Sequence, residues 1–459
     1  MGRNWHGGIT GAAFLLLLVG SQDAIAGSCE INGPGHGGPD NLPNKLSLPI
    51  RSAPEALHLV DAEGKPFFLH GDTAWSLIAQ LSYEDAELYL RDRKARGFNA
   101  ILVNLLEHRF ASRAPANLAG DKPFLEGGDY TRPNERYFAH ADRVLKLACD
   151  LGMLVLLAPS YAGYGGGGEG WYQSMELAGR DAMRSYGEYL GRRYGGLDNI
   201  IWVHGGDYDP PNRGLVVAMV QGINEYDENA VHTAHGAPGT SAKSYWEGAR
   251  WLTINTVYTY DSVKQVTLVE RKLRGTLPFI LIEGKYENEH ETGAYGVRVQ
   301  AYEALLGGAA GHLYGNNPIW HFDGPGIFPI EISWQDALDS PGARSMHVMQ
   351  KIVSGLEWWR LQPDTSNRLA PPHEDVSVAL TDDGSAALLY FRWPEPLQLN
   401  LDVFDGPMVQ AKWIDPTTGT SREVQGSPFK PLRRTITPPG ENGAGDGDWL
   451  LHLTTGGGT

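Results

Sequence analysis

From residue 66 onward the chain alternates short apolar runs with polar or glycine-rich breaks and longer amphipathic stretches. The runs are PFFLHGD (66–72), NAILVNLLE (99–107), MLVLLAPS (153–160), NIIWVHGGD (199–207), AVHTAHG (230–236), LTINTVYTY (252–260), PFILIEG (278–284) and AGHLYGN (310–316). Near-continuous apolar runs of this length suit strands buried on both faces. Helical patterns separate most of them. Ser82 and Asp85 form a capping box ahead of Ala86, Tyr89 and Leu90. Apolar stripes follow at Tyr137, Ala141, Val144, Leu145 and Ala148, at Ala182, Tyr186, Tyr189 and Leu190, and at Val299, Tyr302 and Leu306. Only a short helix is predicted between the fifth and sixth runs. Strands and helices in this alternation predict an α/β fold, a (β/α)8 TIM barrel. An open doubly wound sheet would usually need fewer strands, and its glycine fingerprint is missing.

Past Trp358 and Trp359 helical periodicity stops. VSVALT (376–381), ALLYFRW (387–393), LNLDVF (399–404) and VQAKWIDP (409–416) are short runs parted by turn residues. They predict a small C-terminal antiparallel β-sandwich. ENGAGDGDW and TTGGGT read as loops. At the other end, Arg3 and His6 precede an apolar stretch from Ile9 to Val19, and Ala24-Ile25-Ala26 is a small-residue cleavage signature. That stretch is short for a span, which needs about 20 apolar residues. The predicted organisation is a signal peptide (1–26), an irregular arm (27–54), the barrel (55–357) and the β-sandwich (358–459). The mature protein is expected to be secreted or periplasmic, with no membrane association after cleavage.

Composition narrows the function. Lysine plus arginine number 38 against 54 acidic residues, a net charge of −16. A nucleic-acid partner is therefore not expected, because phosphate binding wants a basic face. Two cysteines, Cys29 and Cys149, exclude a disulfide-dense scaffold and a four-cysteine zinc site. They could pair in an oxidising compartment, although sequence does not place them within bonding distance. The acidic run Glu287, Glu289, His290 and Glu291 lacks a calcium-loop spacing and reads as a solvated loop. No metal or cofactor is expected.

A barrel of this kind carries its active site at the C-terminal ends of its strands. The polar residues ending the runs are Asp72, Asn104 and Glu107, Ser160 and Tyr161, Asp207, His235, Tyr258 and Tyr260, Glu283, and Tyr314 and Asn316. Ser160 lacks a Gly-x-Ser-x-Gly elbow, so serine hydrolysis is poorly supported. Asp207 follows NIIWV and the Gly205-Gly206 pair, and Glu283 ends FILIE. Phe279, Leu281 and Glu283 share parity and are expected on one side of their strand. If that side is the interior, Glu283 caps it at the mouth. Acids on strands four and seven would face each other across the cup. Glycosidic-bond cleavage needs one acid to protonate the leaving oxygen and one carboxylate at the anomeric carbon. Taken singly, Asp207 could cap the loop before Pro210, and Glu283 could pair with Lys285 or Arg298.

FFLHGDTAWSLIAQLSYEDAELYLRDRKARGFNAI (67–101) resembles the opening of the apiosidase-like glycoside hydrolases, family 140. NIIWVHGGD resembles that family's fourth-strand motif and FILIEGKYE its seventh. VQAKWIDPTTG resembles the small β domain, named for collagen binding, that follows this barrel. The resemblance covers most of residues 55–455. It implies a retaining enzyme with Asp207 as acid/base and Glu283 as nucleophile, removing apiose from pectic side chains. The loop GYGGGGEGW (163–171) and His204 leave the sugar open, with arabinose an alternative. The partner is an oligosaccharide or polysaccharide. Asp72 and Trp75 could hydrogen-bond and stack on it, or Asp72 could cap a turn. Asn104 and Tyr258 stand in the same ring. Tyr286 could orient Glu283 or merely pack. His235 could touch substrate or serve as framework, and Trp320 could wall a subsite or lie structurally under the β domain. A non-enzymatic alternative is a carbohydrate-binding or adhesion protein with an inactive barrel; the presence of both carboxylates argues against it.

Overall fold

The computed structural model describes Cys29 and residues 47–53, 56–273 and 277–455; the leader and most of the arm lie outside the described residues. Each of the eight apolar runs holds a strand: β1 (Leu69–Thr73), β2 (Ala100–Asn104), β3 (Leu154–Ala158), β4 (Ile200–Gly205), β5 (Val231–His235), β6 (Asn255–Tyr258), β7 (Phe279–Glu283) and β8 (Gly311–Tyr314). Every residue in them is buried, as strands covered on both faces require. They pair in parallel in the order β5-β4-β3-β2-β1-β8-β7-β6. A parallel bridge between His232 and Leu252 brings the two ends of that ring together. The main helices are α1 (Tyr83–Ala95), α2 (Glu135–Asp150), α3 (Tyr172–Tyr194), α4 (Arg213–Tyr226), α5 (Val263–Lys272), α6 (Ala294–Leu306) and α7 (Pro341–Ser354). The predicted cap of α1 is present: Ser82 Oγ accepts from the Asp85 amide at 3.1 Å and donates to its carboxylate at 2.8 Å. Between β5 and β6 there is one turn of helix, Ala242–Tyr245.

The parity expected of β7 does not survive. Phe279 and Leu281 pack outward with Val263 of α5 and Ala304 of α6. The register with β6 then shifts: Leu281 pairs with Val257 but Glu283 pairs with Tyr258. This bulge gives β7 an extra residue and turns Glu283 to the opposite side of the strand. Glu283 thus reaches the mouth because the alternation breaks.

The C-terminal domain contains β9 (Leu361–Pro363), β10 (Val376–Thr381), β11 (Ala386–Phe391), β12 (Leu397–Asn400), β13 (Val409–Ile414), β14 (Ser421–Glu423), β15 (Arg433–Ile436) and β16 (Trp449–Thr455). Six form an antiparallel sheet in the order β9-β10-β11-β16-β13-β14, and β12 pairs with β15 on top of it. Alternation along β11 splits its side chains between two cores. Ala387, Leu389 and Phe391 join the sandwich interior, while Leu388 and Tyr390 join the barrel cluster. β16, central in the sheet, includes Trp449 and Thr454, which the sequence assigned to loops.

Two features tie the molecule together. Cys29 and Cys149 form a disulfide across 120 residues of chain. Arg298 of α6, buried at the domain junction, donates to both carboxylate oxygens of Asp448 at 3.0 and 2.8 Å and to Asp446 at 2.6 Å. Tyr390 also donates to Asp448, at 2.7 Å.

Candidate active site

Asp207 is delivered by the loop that leaves β4. Gly205 (φ 92°) and Gly206 (φ 130°) both lie in the region that disfavours side chains. A Cβ on Gly206 would stand 2.2 Å from the Tyr161 ring, so glycine also permits that ring's close approach. Tyr161 donates to Asp207 Oδ2 at 2.9 Å, and Oδ1 finds no hydrogen-bond donor among the described residues. Across the cup, Glu283 Oε2 meets His235 Nε2 at 2.7 Å. His235 Nδ1 faces the Gly236 carbonyl at 3.2 Å and Asp207 Oδ1 at 3.7 Å. One oxygen of Asp207, one ring nitrogen of His235 and one oxygen of Glu283 all lie within 4.8 Å of one another. The same three atoms are a donor set that a divalent cation could use, although Glu283 already engages His235 Nε2.

Aromatic residues wall this triad. Trp75 stands 5.6 Å from the His235 ring and 5.5 Å from Tyr161, and its indole N–H donates to Tyr286 Oη at 3.1 Å. Tyr258 lies 5.0 Å from His235 and donates to the Tyr260 hydroxyl at 2.7 Å. Trp320 donates to Glu289 Oε1 at 2.8 Å and packs edge-on against Phe110 at 5.1 Å. Asn104, at the mouth of β2, donates to Glu107 Oε2 at 3.2 Å and leaves its own buried carbonyl oxygen without a donor. Glu107 Oε1 in turn accepts from the amides of His108, Arg109 and Phe110 and shapes the loop after β2.

Two expectations need correcting. Asp72 does not face the cup. It shares parity with His70, whose ring packs outside the barrel beside Phe98, and so it points at α1. There it is fully buried, accepting from Tyr89 at 2.9 Å and pairing with Arg93 at 3.3 Å. Its role is to fasten helix to barrel. The acidic run after β7 is not a solvated loop. Glu287, 2% exposed, accepts from Tyr314, from Asn316 at 3.0 Å, from Ser340 at 2.7 Å and from the Gly342 amide at 2.7 Å. It thereby anchors the N-terminus of α7, where a negative charge is favoured. Glu289 is half-buried at the edge of the cup, and Asn288, His290 and Glu291 are exposed.

The catalytic-domain model of the apiosidase-like proteins matches residues 54–360. The chain belongs to the apiosidase-like family. It is a glycoside hydrolase, and residues 366–454 match the model described as "Putative collagen-binding domain of a collagenase". Among solved structures it is similar to a protein titled glycoside hydrolase, with 23% identity, 89% of this chain and 97% of that chain covered, and a TM-score of 0.78. It is also similar to a glycoside hydrolase family 5 protein from Bacteroides vulgatus ATCC 8482, with 21% identity, coverage of 89% and 92%, and a TM-score of 0.79. At these identities the two structures show a shared fold. No curated protein matches the chain.

The electrostatics of this apiosidase-like cup follow from burial and from crowding of charge. Burial, then the neighbouring Asp207 charge, raise the Glu283 pKa to about 7 against the opposing pull of His235 and Tyr286. Burial opposes charging of His235, but the hydrogen bond and charge of Glu283 and the charge of Asp207 outweigh it and raise its pKa. Both ring nitrogens of His235 face acceptors, the Gly236 carbonyl and Glu283. Neutral imidazole supplies a single N–H, so the pair carries an additional proton, either on His235 or on Glu283. Glu289 is likewise raised to about 7, by burial and by the charge of Glu283, with the Trp320 hydrogen bond opposing. Sequence reasoning overlooked two residues here. Tyr161 was visible only as a polar end of the third run, and nothing in the spacing distinguished Glu289 from Glu287 or Glu291.

Proposed function

We propose that this glycoside hydrolase is a retaining, exo-acting enzyme that releases a terminal apiose-like furanose from a pectic or other polysaccharide. Asp207 is the acid/base and Glu283 the nucleophile. The observation that carries the reading is the convergence of the two carboxyls, with one oxygen of each within 4.8 Å of the other. Retaining enzymes set these groups about 5–5.5 Å apart, whereas inverting enzymes leave about 6.5–9.5 Å for a water. Glu283 receives the His235 hydrogen bond, which opposes the rise that burial and the Asp207 charge cause. Among the described residues Asp207 Oδ1 receives no hydrogen bond, and as the acid it hands its proton to the glycosidic oxygen.

In the first step Glu283 attacks the anomeric carbon while Asp207 protonates the departing oxygen. The resulting glycosyl ester is then hydrolysed by water whose proton passes to the Asp207 carboxylate, and Glu283 leaves. Trp75 and Tyr161 line the approach, and apolar faces of this kind suit C–H-rich sugar faces. We also assign the protein to an exported compartment, on the leader-like segment 1–26 and on a disulfide of the kind that persists under oxidising conditions. The test is turnover of aryl furanosides, aryl pyranosides and pectic oligosaccharides by purified protein, with the anomer of the first-formed product read by NMR. Retention that is abolished by Glu283→Gln is the expected result. Turnover unchanged in both Glu283→Gln and Asp207→Ala, or an inverted product, refutes the mechanism.

A further inference from the structure

Of the three acids at the mouth, Glu289 has no part in the two-carboxylate chemistry. It sits in the loop that follows the nucleophile strand. That loop is held in an uncommon backbone: Asn288 (φ 67°), His290 (φ 46°) and Glu291 (φ 61°) are all non-glycine residues in the left-handed region. Such conformations persist only where their surroundings over-determine them. Here the Asn288 amide donates to the Thr292 carbonyl at 2.9 Å and its side chain to the Asn317 carbonyl at 3.0 Å. The Glu289 amide donates to the Tyr286 carbonyl at 3.2 Å, and His290 packs on Phe328 at 4.6 Å. The outcome is that the Glu289 side chain is fixed against the Trp320 indole and its amide against Tyr286, three residues past Glu283.

Capping the Trp320 indole does not by itself call for a carboxylate there. Any amide or hydroxyl oxygen would accept that hydrogen bond without placing a second ionisable acid beside Glu283. The acid raises the cost of the site, and Oε1 alone serves the indole. Among the described residues Oε2 receives no hydrogen bond. A carboxylate oxygen preset at the edge of a sugar site has a natural complement in a sugar hydroxyl, which donates to it.

We propose that Glu289 is a specificity-determining residue: Oε2 accepts a hydrogen bond from a ring hydroxyl of the terminal sugar, while Trp320 holds Oε1. The ligand class is a monosaccharide unit whose hydroxyl stands away from the anomeric carbon, so that Glu289 reads the sugar and takes no part in bond cleavage. This rests on the glycosidase reading above.

The experiment uses the full chain, an aryl glycoside that the wild type hydrolyses, and its series of monodeoxy analogues, compared between wild type and Glu289→Gln. The amide variant keeps an oxygen for the Trp320 indole, and its thermal unfolding midpoint is measured alongside. Hydrogen bonds to charged groups predict that wild-type kcat/KM falls about 10–150-fold for the one analogue that lacks the contacted hydroxyl. Glu289→Gln should lower kcat/KM for the parent substrate by a similar factor and leave that analogue unaffected. An equal loss on the parent and on every deoxy analogue, or unchanged discrimination, overturns the assignment while leaving the Asp207–Glu283 mechanism standing. A wild type that cleaves no glycoside overturns both.

Discussion

Replacing Asp207 by Asn removes a charge next to Glu283 and should lower the pKa of Glu283. One oxygen of each carboxyl lies within 4.8 Å of the other. Two unit charges at that distance interact by ~3.5 kcal/mol at an effective dielectric of about 20. At ~1.36 kcal/mol per pH unit this corresponds to ~2.5 units. The Asp207 side chain is 20% exposed, so solvent screening brings the effect down to about one to two units. Burial, the larger cause of the Glu283 shift, remains in the variant, as does the opposing His235 hydrogen bond. The midpoint should therefore fall from about 7 by that amount. The assay is the pH dependence of kcat/KM on an aryl glycoside whose leaving group departs without acid assistance, because this parameter reports ionisation of the free enzyme. In the wild type the same shift predicts that kcat/KM on that substrate rises through about pH 7 as Glu283 ionises. A variant midpoint that stays in place or moves upward would refute the claim that the two carboxyls share a field.

Three further outcomes follow from neighbouring contacts. His235→Asn deletes the hydrogen bond that lowers the Glu283 pKa, so the acid limb of the kcat/KM profile should move to higher pH, with kcat/KM reduced about 10²–10³-fold; an unmoved limb contradicts this. Arg298→Met leaves Asp448 buried without its cation and should cost about 3–5 kcal/mol, read as a lowered unfolding midpoint in denaturant. Indifference to that change would mean the junction is not held by the pair. His312, buried against His70 at 2.9 Å, has its pKa lowered by burial to about 3. Its folded pKa lies below the unfolded value, so its contribution to stability is intact above about pH 6.5 and is lost as pH falls toward 3. His312→Gln should therefore narrow the pH dependence of unfolding free energy by up to about 1.4 kcal/mol per pH unit in that window; parallel curves for the two proteins would count against it.

Much of this architecture was legible because parallel strands buried on both faces leave a simple trace, a run of apolar residues ending in a polar one. NIIWVHGGD and FILIEG located the strands and the acids together. What alternation could not deliver was direction. Asp72 and His70 share parity on β1, and the sequence alone does not say which parity faces the helices. On β7 the alternation itself is broken, since the bulge between Leu281 and Glu283 turns the acid to the side opposite Leu281. The expectation of an inward Glu283 held for a reason other than the one given. The loop after β7 was misread because burial of an acid depends on partners far along the chain. For Glu287 these are Tyr314, Ser340 and the Gly342 amide. In the β domain, Trp449–Thr455 was lost between a glycine-rich segment and a glycine tail, although it is the strand to which β11 and β13 both pair.

The link between the two domains bears directly on the cup. α6 follows the loop that carries Tyr286 and Glu289, and from Val297 to Leu306 every residue of it is buried. A helix apolar on one stripe could rest on the barrel with its other face in water, but one buried all round needs cover on both sides. Ala304 takes the barrel side, packed with Phe279 and Leu281 of β7. Tyr302 takes the other, stacked on Tyr390 of β11 at 5.0 Å, and Arg298 bonds Asp446 and Asp448 ahead of β16. The six-stranded sheet therefore completes the burial of the helix immediately downstream of Glu283. The β domain thus reaches the cup through packing: it covers α6, α6 bounds the far end of the loop after β7, and that loop carries Tyr286 and Glu289.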